Sequence, residues 1–64
     1  MKATMIRVFD QCAIEVNGDF YMWGETMQKW FPLCAVDCWA IVFDAERKAG
    51  AAHEVTLHVL DGIK

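Results

Sequence analysis

Asn17 and Gly18 stand between two runs of alternating residues, and this pair constrains the fold more than any other feature of the chain. Both residue types tolerate the positive φ angles that the central positions of a tight hairpin turn require. The pair therefore predicts an antiparallel hairpin whose strands are joined by a two-residue turn. A three-residue loop with a bulge would change the pairing of the strands, and this alternative stays open.

A two-residue turn fixes which side chains of the hairpin share a face. One face then carries the cross-strand pairs Val16–Asp19, Ile14–Tyr21 and Cys12–Trp23. The other face carries the pairs Glu15–Phe20 and Ala13–Met22. The first strand of the hairpin reaches back to Thr4, because the alternation runs from Thr4 to Val16. Asp10-Gln11 interrupts the alternation, which predicts a bulge or a break there.

One main helix is predicted after the hairpin. Gly24 ends the second strand, and Glu25–Phe31 is long enough for one or two helical turns before Pro32, which lacks a backbone donor and interrupts them. Leu33–Lys48 is predicted to be the main helix, because its apolar residues fall on one broad face at 100° per residue. Gly50 is its predicted C-cap.

The alternation resumes at His53–Leu60, which predicts a third strand. The order of elements is then β-β-α-β, and the fold class is α+β. We expect a three-stranded antiparallel sheet in the order 2-1-3, with strand three parallel to strand two and both antiparallel to strand one. The helix packs on one face of this sheet, within a single compact domain over residues 1–64. The predicted core comprises Ile6, Val8, Ile14, Val16, Tyr21, Trp23, Trp39, Val42, Phe43, Val55, Leu57 and Val59.

Charge and composition exclude several classes of protein. The chain has 56% hydrophobic residues and a formal net charge of −3, which is unlike a disordered chain. Nucleic-acid binding requires a basic surface. The chain has 6 Lys and Arg against 9 Asp and Glu, so its composition does not favour such a surface. The absence of serine excludes a serine-nucleophile hydrolase. We expect no cofactor, no catalytic residue and no direct contact with nucleic acid.

The cysteine count indicates a reducing compartment. Cys12, Cys34 and Cys38 are an odd number, which argues against a closed disulfide framework. Met1–Val8 has no continuous apolar run of the kind that a signal peptide needs, and no apolar stretch approaches the roughly 18 residues of a membrane-spanning helix. These features predict free, mostly buried thiols in the cytoplasm and no contact with a membrane.

Four residues, Cys34, Cys38, His53 and His58, have spacings close to those of a two-Cys, two-His zinc site. The pattern argues against such a site, because the cysteines fall on a helix and the histidines, in a strand, point to opposite faces. A Cys–His nucleophile pair is disfavoured as well, because each cysteine lies on or beside an apolar face, where a thiol is inert. We therefore expect no metal site.

The sheet face away from the helix is the first candidate site. The predicted register leaves apolar side chains there, namely Met5, Phe9, Ala13, Phe20, Met22 and Leu60. An exposed apolar patch of this kind usually marks an interaction surface. The predicted partner-binding residues on this face are Phe9, Phe20, Met22 and His58. Two alternatives remove the patch: a register shifted by one residue, or Glu25–Phe31 folded over the face.

The second candidate site is an acidic stripe on the helix. Asp37 and Asp44 lie seven residues apart on its solvent side, too far apart to share a proton. These two residues belong to a looser acidic cluster, which either imitates a nucleic-acid backbone and occupies a basic groove or keeps the chain soluble; its members are Asp10, Glu15, Asp19, Glu25, Asp37 and Asp44. The second interpretation is favoured, because the net charge is modest.

In its overall character the chain resembles the anti-CRISPR proteins, which are small phage-encoded inhibitors of bacterial defence. The resemblance rests on the Ala3–Trp23 hairpin, the one main helix at Leu33–Lys48 and the mildly acidic balance. It implies a cytoplasmic α+β domain that binds a host protein complex stoichiometrically and blocks its nucleic-acid site or its assembly. No diagnostic motif carries the resemblance, so it assigns no functional residue.

Three functions follow as hypotheses. The first is a non-enzymatic protein-binding module, in its sharpest form a phage-type inhibitor of a CRISPR effector complex. The second is a homo-oligomeric structural or regulatory subunit, in which two copies cover each other's open sheet face. The third is a small metal- or thiol-dependent protein that uses Cys34 and Cys38.

Overall fold

The computed structural model describes residues 2–57, which form one helix on a five-stranded sheet. In chain order the elements are β1 (Lys2–Val8), β2 (Gln11–Val16), β3 (Asp19–Gly24), β4 (Lys29–Pro32), α1 (Val36–Lys48) and β5 (His53–Thr56). The α+β class, with one helix and an antiparallel sheet, is confirmed. The prediction of three strands is wrong, because a turn divides the long first strand and a further strand, β4, precedes the helix.

The strands lie in the order β4-β3-β2-β1-β5, and every neighbouring pair is antiparallel. β4 and β5 form the two edges, and α1 carries the chain from one edge to the other across one face. Since β5 is antiparallel to β1, it runs opposite to β3. The prediction that the last strand runs parallel to the second strand of the hairpin is therefore wrong.

A tight turn at Phe9 and Asp10 divides the predicted first strand. Both residues have positive φ, at 50° and 66°. The chain reverses here, so that Ile6 lies opposite Ala13 instead of continuing in one strand with it. Because this reversal exchanges odd and even positions between the faces, side chains of β2 and β3 that were predicted to point away from the helix point towards it.

The turn at Asn17 and Gly18 has the predicted form, with φ angles of 51° and 88°. The predicted register of this hairpin is confirmed for four pairs: Ala13–Met22, Ile14–Tyr21, Glu15–Phe20 and Val16–Asp19. The backbone N–H of Gly18 also donates to Oε2 of Glu15 at 2.9 Å. The side chain of Glu15 therefore supports the turn from the adjacent strand.

The predicted helical turns at Glu25–Phe31 are wrong. The chain turns over residues 25–28 and returns as β4, which places Trp30 opposite Trp23. The N–H of Gln28, at a φ of 55°, donates to the Gly24 carbonyl at 2.7 Å and closes this turn. Cross-strand packing of the aromatic rings stabilises β4. A short isolated helical turn is less stable, because helix nucleation is unfavourable.

α1 begins at Val36, three residues later than predicted. The N–H of Leu33, just after the end of β4, donates to the carbonyl of Phe20 on β3 at 2.8 Å. The contact with β3 therefore extends beyond the end of β4. Leu33 is therefore held at the sheet and does not join the helix.

The C-terminal end of α1 is a Schellman motif. The N–H of Gly50 donates to the Arg47 carbonyl at 3.1 Å, and the N–H of Ala51 donates to the Glu46 carbonyl at 2.9 Å. Gly50 has a φ of 76°, in the left-handed region that glycine adopts without a steric penalty. The predicted role of Gly50 in ending the helix is confirmed.

Aromatic side chains hold α1 against the sheet. The buried cluster on this face consists of Ile6, Ala13, Phe20 and Phe43. The ring of Phe43, which is fully buried, lies 5.1 Å from that of Phe20 and 6.4 Å from that of Trp39. Ala13 has the small side chain that leaves room for these rings. Nη2 of Arg47 on the helix also donates to Oε1 of Glu15 on the sheet at 3.1 Å.

A second buried cluster lies on the opposite face of the sheet, which we call the far face. It consists of Ala3, Ile14 and Val16, with Met5, Tyr21, Trp30, Val55 and Leu57 packed around it. The prediction placed six far-face residues beneath the helix, namely Ile14, Val16, Tyr21, Trp23, Val55 and Leu57. That placement is wrong, because the turn at Phe9 exchanges the faces of β2 and β3 and because Val55 pairs with Ala3. Val42 is exposed, and Val59 lies outside the described residues.

Candidate protein-binding surface

Phe20 and Met22 do not lie on an open sheet face. Phe20 is only 6% exposed and contacts the ring of Phe43, and Met22 packs against the same cluster. Their assignment to an exposed partner-binding face is therefore wrong. The physical reason is the reversal at Phe9, which turns both side chains towards α1.

The remaining members of the predicted patch are dispersed. Ala13 is buried beneath the helix, and Met5 lies on the far face. Phe9 lies in the turn between β1 and β2, beyond the end of both strands. His58 and Leu60 lie outside the described residues.

The two aspartates of the acidic stripe are exposed on α1. Asp37 lies in the first turn, and Oδ2 of Asp44 pairs with Nζ of Lys48 at 3.2 Å. Seven residues of helix separate the two aspartates by about 10 Å along the axis. The stripe therefore carries a cation as well as two carboxylates.

Phe9 is the most exposed large apolar side chain between residues 2 and 57. It is 96% exposed, and its backbone has a φ of 50°. The left-handed region costs an ordinary L-residue about 1–2 kcal/mol, and a bulky side chain is rarely found there. The fold therefore holds an aromatic ring in water at an unfavourable backbone angle.

Four far-face side chains form a row behind this turn, which we call the aromatic row: Trp30, Trp23, Cys12 and Arg7. Arg7 is paired with Cys12, and Trp23 with Trp30. The two indole rings meet edge to face with centroids 5.1 Å apart. Nε1 of Trp23 donates to Oε2 of Glu25 at 3.1 Å, which fixes the orientation of this ring.

Two open hollows lie on either side of the Arg7–Cys12 pair. The first has a volume of about 250 Å³ and is lined by Met5, Ile6, Arg7, Cys12, Ala51 and His53. The second has a volume of about 300 Å³ and is lined by Arg7, Asp10, Gln11, Cys12, Trp23 and Glu25. Asp10, which follows Phe9 in the turn, lines the second hollow together with Arg7 and Trp23, so this hollow reaches the turn that carries the exposed ring.

Arg7 is exposed and forms no ion pair with any residue from 2 to 57. The other arginine, Arg47, is bound to Glu15. An unpaired guanidinium beside aromatic rings is suited to a carboxylate on a partner, because its planar donors match that group and its hydration is weak. Arginine and tryptophan are also enriched among the residues that dominate binding energy at protein interfaces.

The cysteines differ from the expectation of mostly buried thiols. Cys12 is partly buried, whereas Cys34 and Cys38 are exposed. Cys34 precedes α1, and α1 packs on the sheet through Trp39 and Phe43 and not through Cys38. Across residues 2–57, no group of three or more His, Cys, Asp or Glu side chains could hold a metal ion. No hydrogen bond joins Cys12 to His53, although both line the first hollow.

No helix in the part of the chain that the structure describes is long and apolar enough to cross a membrane. Comparisons with protein-family models, with curated proteins and with solved structures found no match to this chain. Phe9, the aromatic row and the two hollows therefore form the candidate binding surface.

The sequence does not predict where the structure places three of these residues. Phe9 was singled out, but on a sheet face, because Phe-Asp is not a turn signal of the Asn-Gly kind. Trp23 was assigned to the core. Arg7 is not among the residues that the sequence predicts to bind a partner. The interruption of the alternation at Asp10-Gln11 is a sequence signal for a break near Phe9, and the reversal at this break places Ile6 opposite Ala13.

Proposed function

We propose that this chain is a non-enzymatic protein-binding module that inserts Phe9 into an apolar pocket of its partner. The observation that supports the proposal is the 96% exposure of Phe9 at a φ of 50°. A ring in this position makes the isolated domain less stable and contributes nothing to its core. Complete burial of a phenylalanine side chain stabilises a complex by about 1.5–3 kcal/mol.

The turn presents Phe9 in a defined position. Val8 and Gln11 pair directly across it, so only two residues separate the strands. A rigid display lowers the conformational entropy lost on binding. This property distinguishes Phe9 from Met27, which is also exposed but lies in the longer turn at residues 25–28.

The residues beside Phe9 define the chemistry of the partner. Arg7 offers an unpaired guanidinium, and Trp23 offers a half-buried ring at the edge of the second hollow. We expect the partner to place an apolar or aromatic side chain in this hollow and a carboxylate on Arg7. Asp10 and Glu25 line the same hollow, and their carboxylates disfavour a partner whose contact surface is acidic throughout.

The sharpest form of the proposal is a stoichiometric inhibitor of a CRISPR effector complex in the host cytoplasm. Its support is the resemblance of the whole chain to anti-CRISPR proteins and its net charge of −3. In this form the module contacts a protein subunit and prevents nucleic acid from binding or the complex from assembling. The acidic stripe of Asp37 and Asp44 is the alternative contact surface.

Affinity capture with three forms of the tagged chain tests the proposal. Phe9→Asn removes the ring and keeps the turn, because asparagine already occupies the equivalent position of the second turn at a φ of 51°. Asp37→Asn with Asp44→Asn neutralises the alternative surface. We expect a partner to be recovered in stoichiometric amount by the wild type and by the neutralised form, and to be lost by Phe9→Asn.

Other outcomes would distinguish binding through Phe9 from binding through the acidic stripe, or contradict both. Loss of the partner from the neutralised form alone would assign binding to the acidic stripe. Retention by all three forms would contradict both surfaces. If the recovered partner is a nucleic-acid-binding defence complex, its target binding should be blocked by the wild type and not by Phe9→Asn. Recovery of this chain alone from its host lysate would overturn the proposed function.

A further inference from the structure

The first hollow differs in charge from the second. Of the residues that the structure describes, two with basic side chains, Arg7 and His53, line the first hollow, and none that lines it is acidic. The second hollow is lined by Arg7 together with the carboxylates of Asp10 and Glu25. The first hollow is therefore the side of the candidate binding surface on which no acidic residue opposes the charge of Arg7.

The pairing of β5 with β1 makes Arg7 and His53 neighbours on the far face. His53 lies opposite Met5, and Arg7 is two residues further along β1. Residues two apart in a strand share a face, so Arg7 and His53 are diagonal neighbours across the two strands. The Cα atoms of such neighbours are about 7–8 Å apart, within reach of long side chains. One small group can therefore contact both residues.

Neither of these two side chains has a partner in the fold. Between residues 2 and 57, no ion pair and no side-chain hydrogen bond joins Arg7 or His53 to another residue. Glu54 follows His53 in sequence, but it points to the opposite face, where it pairs with Lys2 at 3.8 Å. The donors of Arg7 and His53 are thus available to a group outside the chain.

The chemistry of these donors selects a carboxylate. The planar guanidinium of Arg7 matches the two oxygens of a carboxylate, and hydrogen bonds between charged groups are about twice as strong as neutral ones. The imidazole of His53 has at least one N–H donor, even when it is neutral. The hollow has a volume of about 250 Å³, whereas most small-molecule sites have about 300–1,000 Å³. It is therefore better suited to one side chain of a protein than to a whole small molecule.

We propose that the first hollow binds the carboxylate of an aspartate or glutamate side chain of the protein partner, held between Arg7 and His53. This inference rests on the proposed function: it locates the carboxylate expected on Arg7 and adds His53 as a second contact. Phe9 is four residues from Met5 along the chain, so the two points of attachment are about 13 Å apart. Both fit within one side of an interface of standard size, which is about 800 Å².

An NMR titration of the isotope-labelled full-length chain tests the site without the partner. The two probes are glutamate and glutamine, each acetylated at its amino group and amidated at its α-carboxyl group, so that they differ only in the side-chain carboxylate. We expect the glutamate probe to shift the Nε–H signal of Arg7 and the ring signals of His53 together and saturably. The glutamine probe should shift neither. Arg47, which is already bound to Glu15, is the internal control and should not respond.

Three variants test the two contacts. Arg7→Gln should weaken binding of the glutamate probe by about tenfold, because it removes the charged donor. His53→Leu should weaken it by about threefold, because it removes one hydrogen bond at an exposed site. Lys48→Gln is the matched control: it removes the same charge as Arg7→Gln from an exposed position on α1 and should bind like the wild type. Circular dichroism verifies that each variant is folded.

Several results would overturn the carboxylate site: no saturable shift with the glutamate probe, equal shifts with both probes, or a response of Arg7 without His53. The site and the proposed function can also fail separately, because Phe9 does not line the first hollow. A partner that is lost by Phe9→Asn, from a chain that does not bind the glutamate probe, would contradict only the site. A partner that survives Phe9→Asn, on a chain that binds the probe, would contradict only the anchor at Phe9.

Discussion

The rings of Phe20 and Phe43 lie with their centroids 5.1 Å apart, and this contact determines which face of the sheet α1 covers. Phe20 is on β3 and Phe43 is on the helix, so the contact joins two elements that are distant in sequence. The opposite face consequently presents Trp23, Trp30 and Arg7. The position of the candidate binding surface thus follows from the orientation of one buried phenylalanine.

Phe20→Ala should destabilise the domain by about 3–5 kcal/mol, because it leaves a cavity next to Phe43. A loss of this size removes most of the stability of a small domain. Urea denaturation monitored by circular dichroism measures the effect. Met27→Ala, in an exposed turn, is the control and should change the unfolding free energy by less than about 0.5 kcal/mol. A Phe20→Ala variant as stable as the control would mean that Phe20 is not in the core.

Phe9→Asn should make the domain more stable by about 1 kcal/mol, because asparagine accepts positive φ more readily than phenylalanine. For a domain of this size the corresponding rise in Tm is about 4–8 °C. The reverse change, Asn17→Phe in the second turn, should lower Tm by a similar amount. A thermal melt in which Phe9→Asn is less stable than the wild type would show that the ring supports the fold.

Trp23 and Trp30 should be energetically coupled, because their rings are in edge-to-face contact. A double-mutant cycle with Trp23→Leu and Trp30→Leu measures this coupling by chemical denaturation. We expect an interaction energy of about 0.5–1.5 kcal/mol. Additive effects of the two substitutions would mean that β4 does not pair with β3 in solution.

Glu15→Gln should lower stability by about 0.5–1 kcal/mol, because it weakens the contact with Arg47 across the helix–sheet boundary. The pair is partly exposed, so the difference between wild type and variant should shrink as salt is added. Glu54→Gln is the matched control: its contact with Lys2 is longer, at 3.8 Å, and largely exposed. Equal losses for the two variants would contradict a structural role for Glu15.

The elements that could be predicted from the sequence are those with local signals. The turn at Asn17 and Gly18 was predictable because both residues favour positive φ, and its register followed from the two-residue turn. Gly50 was predictable for the same reason, at the end of a helix with an amphipathic pattern. Each of these signals is contained within a few neighbouring residues.

The faces of the sheet could not be predicted, because the interruption at Asp10-Gln11 indicates a bulge or a break without specifying a two-residue reversal at Phe9 and Asp10. Phe9-Asp10 is not a typical sequence for two positive φ angles, and the alternation of apolar residues resumes at Cys12 in the same phase as before. Missing one two-residue turn exchanges the faces of both following strands. β4 was missed because the pairing of Trp30 with Trp23 is a tertiary contact that overrides local tendency.

The affinity of the purified chain for the partner recovered by capture shows whether Phe9 anchors the complex. Isothermal titration calorimetry compares the wild type with Phe9→Asn, which keeps the turn and removes only the ring. We expect the variant to be at least as stable as the wild type and to bind at least about tenfold more weakly, since burial of the ring contributes about 1.5–3 kcal/mol. Equal affinities of the two forms would contradict the claim that Phe9 anchors the complex.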